Sequence, residues 1–194
     1  MNIGFGITGS FCTHEKILEV IKNLKQSGHN IIPIVTHEVY KTSTRSGNNK
    51  TFLKTLEEIT NNKVVYNIVG AEPLGPKKII EALIVAPCTG NTLSKLANSI
   101  TDNAVTMTAK SLMRNNKPIV IGISTNDGLG LNSNNLTTLL NQKNVYFIPF
   151  GQDYPFEKPK SLMADFSKTE ETIIKALKKE QLQPLLATFK PITF

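Results

Sequence analysis

The 194 residues include no tryptophan and only two cysteines, Cys12 and Cys88. Two thiols with no close spacing make neither a disulfide framework nor a zinc-finger pattern, so both are expected reduced. Histidine is also scarce. His14, His29 and His37 are the full set, none follows position 37, and their spacing matches no metal-ligand pattern. Surface or helix-start positions are expected for all three, and no metal. Arginine is limited to Arg45 and Arg114, the rest of the 22 basic residues being lysine. The chain shows no basic-then-apolar leader and no apolar run of membrane-spanning length, so a cytoplasmic location is expected.

The net charge of +7 is spread along the chain with no cluster of lysines and aromatics. That pattern does not suit a nucleic-acid face, which concentrates its charge, whereas a small anionic ligand fits it. Hydrophobic residues make up 40% and charged residues 19%, the balance of a folded domain, and the length suits one core.

Short apolar runs alternate with segments of helical period. Strands are predicted at Ile3–Ile7, Ile31–Val35, Lys63–Val69, Leu83–Ala86, Pro118–Ser124 and Val145–Phe150. Ile17, Leu18, Ile21 and Leu24 mark a helix that Gly28 stops, and further helices center on Phe52–Ile59, Leu93–Ile100 and Val105–Met113. Another runs over Leu136–Lys143, and a last over Lys168–Gln181. Near-continuous apolar strands separated by helices predict a doubly wound α/β domain with a parallel sheet of about six strands. Gly151–Asp165 reads as a loop. The domain is expected over 1–183, with 184–194 an extended or disordered tail.

Two loops follow predicted strands and crowd small and polar residues together: Thr8-Gly9-Ser10, and Pro87-Cys88-Thr89-Gly90-Asn91-Thr92. In an open parallel sheet such loops meet helix N-termini and bind ligands, phosphates above all. Thr36 occupies the corresponding end of the second strand. The string Gly4-Phe5-Gly6-Ile7-Thr8-Gly9 fits the letters of a dinucleotide fingerprint, but its first two glycines fall inside the strand, where that motif needs a turn. Cys88 reads as a small packed thiol. Arg45, in a polar loop, suits two-pronged carboxylate recognition.

The Pro87–Thr92 segment, followed by Lys95, Ala97 and Asp102, resembles the P-A-S-A-N-T signature of the flavin-containing cysteine decarboxylase superfamily, and Ile7-Thr8-Gly9-Ser10 resembles its first flavin-phosphate loop. The resemblance implies a Rossmann-like or flavodoxin-like fold, FMN as cofactor and a trimer-based homo-oligomer. On that footing FMN phosphate is expected at Gly9, Ser10 and Phe11 with Thr36 nearby, the ribityl chain and ring at Thr89, Gly90, Asn91 and Thr92, and the ring edge at Asn126. The segments Thr44-Arg45, Glu72-Pro73-Leu74-Gly75-Pro76-Lys77-Lys78, Gly122–Asp127 and Tyr146–Asp153 look like one branch of the superfamily. That branch supplies the flavoprotein-like component of a two-component oxidoreductase of spore-forming bacteria. It implies a partner, the A-subunit of dipicolinate synthase, and oxidation of dihydrodipicolinate to dipicolinate in the mother cell, with NAD or NADP bound through that partner. Arg45, Lys77 and Lys78 are the cations offered to the substrate carboxylates. No catalytic residue is assigned. The superfamily's P-x-M-N-x-x-M-W motif survives only as Asn126 within Ile123–Leu129, and its histidine near the third strand is absent, which argues against cysteine decarboxylation. Two other functions fit the same fold: a non-catalytic scaffold for the A-subunit, and a stand-alone FMN-dependent decarboxylase or prenyltransferase.

Overall fold

The computed structural model describes residues 1–44 and 47–187. Five parallel strands form its center: β1 (Asn2–Ile7), β2 (Asn30–Val35), β3 (Ala82–Cys88), β4 (Ile119–Thr125) and β5 (Val145–Phe147), in the order β2-β1-β3-β4-β5. All seven residues of β3 are buried, as a central strand covered on both faces requires. One group of helices comprises α1 (His14–Gln26) and α3 (Asn49–Thr60), joined by α8 (Thr169–Leu177) through the turn that precedes it. The other comprises α4 (Ile68–Ala71), α5 (Gly90–Ala97), α6 (Ala104–Arg114) and α7 (Ser133–Leu140). The short α2 (His37–Lys41) follows β2. The fold is therefore the expected doubly wound α/β domain.

Gly4 and Gly6 lie within β1. A Cβ on Gly6 would come within 2.9 Å of Val105 Cγ1 on α6. That glycine is needed for helix-on-sheet packing, which explains why the fingerprint letters occur without the fingerprint's turn.

Several expectations need correction. Lys63–Val69 is not a strand: only Val65 pairs, in a single bridge to Ile34, and Asn67 then caps α4 by accepting from Gly70 N at 2.8 Å. A side-chain cap here wins over the β-branched residues around it. Val145–Phe150 breaks in two because Pro149 has no N–H to continue the ladder. The chain resumes as β6 (Phe150–Gly151), antiparallel to β7 (Leu162–Ala164), a strand inside the segment read as loop. β7 also pairs with Ser124 and Thr125 at the end of β4, so the sheet has seven strands. Three residues are too few to show a period. α7 and α8 also end earlier than expected, at Leu140 and Leu177.

Beyond α8, Gln181 takes over a backbone role. Its Oε1 accepts from Phe147 N at 2.8 Å and its Nε2 donates to Phe147 O at 2.7 Å, completing the edge of β5. Leu185–Ala187 then bonds to both backbone groups of Phe150. In a Gln181→Ala variant, the Phe147 amide is expected to lose hydrogen-exchange protection and stability to fall by about 1 kcal/mol. Unchanged exchange at Phe147 would contradict this role.

Candidate functional site

Between β1 and β3 the strand order reverses, which opens a crevice at their carboxyl ends. Thr8, fully buried, stitches the two sides together: its hydroxyl donates to Pro87 O at 2.6 Å and accepts from Thr89 N at 3.0 Å. Gly9, Ser10 and Phe11 follow at the lip, all half-buried. Ser10 Oγ lies 2.8 Å from Ser124 Oγ at the end of β4, and its carbonyl accepts from the amide and hydroxyl of Thr13. The loop is thus held from both sides.

Thr36 sits beside this loop, its amide bonded to Ile7 O at 3.1 Å. It begins α2 without capping it, is 3% exposed, and its Oγ1 has no hydrogen-bond partner among the described residues. A buried hydroxyl left unpaired costs on the order of 1–3 kcal/mol unless a ligand meets it.

Across the crevice, Thr89 caps α5, accepting from Thr92 N at 3.3 Å. Thr92 is buried behind it and Asn91 is exposed. Gly90 is the first residue of α5, and a polar cluster presses on it. Asp127 accepts from Thr125 Oγ1 and from Asn132 Nδ2 at 2.7 Å. Asn132 Oδ1 accepts from Asn135 at 2.9 Å, and Asn135 from Asn98 at 3.1 Å, on the last turn of α5. The Asp127 carboxylate therefore lies beside the first residue of α5. Asn126 is exposed on the same turn.

These loops lie within one chain-long likeness. The family model described as Flavoprotein matches residues 1–178. The chain belongs to the Flavoprotein family. The dipicolinate synthase B-subunit of Bacillus subtilis (strain 168) is 50% identical over 184 residues, covering 95% of this chain and 92% of that one. The crystal structure of the dipicolinate synthase B-subunit from Bacillus halodurans superposes with a TM-score of 0.89 at 46% identity, over 96% of each chain. An FMN-dependent cysteine decarboxylase, SpaF, shares the fold at 19% identity and a TM-score of 0.66, over 91% of this chain and 97% of that one.

Within this Flavoprotein chain, Gly9, Ser10, Phe11 and Thr36 gather on one side of the crevice, and Thr89, Gly90, Asn91, Thr92 and Asn126 belong to the loops and helix start across it. Lys77 and Lys78 do not join them. Both are exposed in the segment leading into the start of β3, at the amino end of the sheet. With no third strand at 63–69, the chain passes through α4 and returns to that end before β3 begins. Arg45 lies outside the described residues. Lys95 and Asp102 from the central segment bond to each other at 2.6 Å, which holds the Asp102 carboxyl below its usual range. Burial pushes the Cys88 thiol far above its ordinary value, so it stays protonated and is no nucleophile. His29 meets Glu170 at 3.2 Å, and His14 is buried at the start of α1.

Sequence reasoning placed Thr8 in the first ligand loop without a role of its own, and it missed Ser124, Asp127 and Asn132 as members of this site. The local signal was a run of hydroxyl and carboxamide residues at the end of an apolar strand; Asp127 bonds to Thr125 and Asn132 nearby in sequence, but Thr8 meets Pro87 and Thr89, Ser124 meets Ser10, and the cluster meets Gly90, only through the fold. A Cβ at position 90 would fall 2.6 Å from Asn132 Nδ2 and 2.7 Å from Asp127 Oδ1. Gly90→Ala is therefore expected to cost about 1–3 kcal/mol in urea denaturation. Less should be lost in an Asp127→Ala background, because one of the obstructing groups is gone. Equal costs in both backgrounds would show that the carboxylate does not press on Gly90.

Proposed function

We propose that this chain is the flavin-binding component of a dipicolinate synthase, acting with an A-subunit to oxidise dihydrodipicolinate to dipicolinate during sporulation. The observation that carries the reading is the 50% identity, over 95% of the chain, to the Bacillus subtilis B-subunit. The unpaired Thr36 hydroxyl beside the Ser10 loop supports the cofactor. It is a buried donor at a loop fit for a phosphate, and the Asp127 carboxylate at α5 steers an anion toward this side of the crevice. Gly9, Ser10, Phe11 and Thr36 would hold the FMN phosphate. Thr89, Gly90, Asn91 and Thr92 would flank the ribityl chain and ring, with Asn126 at the ring edge. Bound FMN would supply the capacity to accept and return electrons.

For the substrate, Arg45 is the cation of choice, since a planar guanidinium grips a carboxylate with two hydrogen bonds. Lys77 and Lys78 lie at the far end of the sheet and drop out of that role. Aromatising the dihydropyridine ring removes a hydride and a proton. The glycines of β1 are taken up by packing, so NAD or NADP would be held by the A-subunit. Leu131 and Phe156, 92% and 93% exposed, belong to loops joined by the bond from Leu129 N to Lys160 O. Large exposed apolar side chains beside the crevice support a trimer-based homo-oligomer in which a neighbouring copy covers the flavin. The cytoplasm of the mother cell is the corresponding location.

FMN titration followed by flavin fluorescence tests the cofactor directly. Ser10→Ala is expected to weaken binding by about one to two decades, the loss of a hydrogen bond to a charged phosphate; unchanged affinity would remove Ser10 from the site. Dipicolinate formation, followed with each component singly and with both, tests the reaction. Each component by itself should be nearly inactive, the mixture active, and Arg45→Lys impaired in the mixture. Full activity from the A-subunit by itself would reduce this chain to an accessory, and an unimpaired Arg45→Lys would remove the carboxylate clamp.

A further inference from the structure

The crevice holds a carboxylate that flavin binding does not call on. Asp127 follows Asn126 on the turn after β4 and is half-buried. Thr125 Oγ1 donates to its Oδ1, and Asn132 Nδ2 donates to its Oδ2 at 2.7 Å, so neutral donors fix its plane. No salt bridge pairs it among the described residues. One accepted bond on each oxygen leaves both with a further lone pair. Because position 90 has no side chain, Oδ1 lies directly against the start of α5.

No other group on this side is as well placed to accept a proton. Cys88 stays protonated, Lys95 is held by Asp102, and no histidine follows His37. Asp153, in the connection from β6 to β7, has its Oδ1 buried away from solvent. Glu15 and Glu38 belong to α1 and α2, on the side assigned to the phosphate.

The inference drawn from this rests on the reading of the chain as a flavin-binding component with the ring edge at Asn126. Oxidising dihydrodipicolinate breaks C–H bonds at two adjacent saturated ring carbons, one bearing a carboxylate and one bare. A hydride leaves one carbon with its electron pair and is taken up by the nicotinamide or flavin oxidant. A proton leaves the neighbour, and the electrons of that C–H bond form the new ring double bond. We propose that the Asp127 carboxylate is the base that takes this proton, ending as a carboxylic acid held by Thr125 and Asn132. Its charge also sets the approach: like charges repel, so the substrate carboxylates turn away and the bare edge of the ring faces Asp127.

The test uses the full chain with FMN and the A-subunit. Proton removal is read apart from oxidation, as exchange of the ring C–H with deuterated water by NMR, the nicotinamide cofactor being withheld. Wild type should catalyse this exchange and, with the cofactor, form dipicolinate. Asp127→Asn should lower both rates by at least about a hundredfold, the usual contribution of a general base, while FMN affinity is retained. Formate should restore part of the exchange in Asp127→Ala by entering the vacated space. That arm decides the matter if Asp127→Asn folds poorly, and no recovery there would overturn the proposal. Undiminished exchange and turnover in Asp127→Asn would overturn it and leave the functional reading intact. So would a loss of FMN affinity in step with activity, which makes Asp127 a positioning residue, or loss of exchange in Asp153→Asn with Asp127→Asn still active. A wild-type mixture that neither binds FMN nor forms dipicolinate would overturn the functional reading, and this inference with it.

Discussion

The site depends on the hydroxyl of Thr8. It sits where β1 and β3 diverge, donating to Pro87 O and accepting from Thr89 N, with no solvent to take its place. One buried side chain thereby satisfies two backbone groups on a loop distant in sequence. Each such bond contributes only about 1 kcal/mol net, but leaving the partners unpaired in the interior costs more. Because the Thr8 carbonyl also accepts from His14, one residue sets the position of the Gly9–Phe11 loop, the start of α5 and the orientation of the imidazole.

The two sides of the crevice differ in what they leave open. At α5 the Asp127 carboxylate, held by Thr125 and Asn132, lies against Gly90, so an incoming anion meets a carboxylate there. On the β1–β2 side Thr36 offers a buried hydroxyl that nothing described satisfies. Under the proposed flavin reading, this asymmetry would turn the charged end of a phosphate-bearing ligand toward Thr36 and its uncharged part toward Thr89–Thr92. It also accounts for Gly90, since no side chain fits between α5 and the Asp127 cluster.

Apolar runs and small-residue loops made the α/β architecture and the carboxyl-end loops at Gly9, Thr36 and Thr89 legible in the sequence, because strand burial and turn chemistry are local. Lys63–Val69 misled because β-branched content alone does not supply a pairing partner, and Asn67 turned the chain into a helix instead. The error carried forward to Lys77 and Lys78, whose distance from the crevice follows from the path of the chain back to β3. β7, the Asp127–Asn132 cluster and the orphaned Thr36 hydroxyl were decided only by the tertiary structure. Each rests on groups brought together from separate strands and helices, and local residue patterns do not encode those distances.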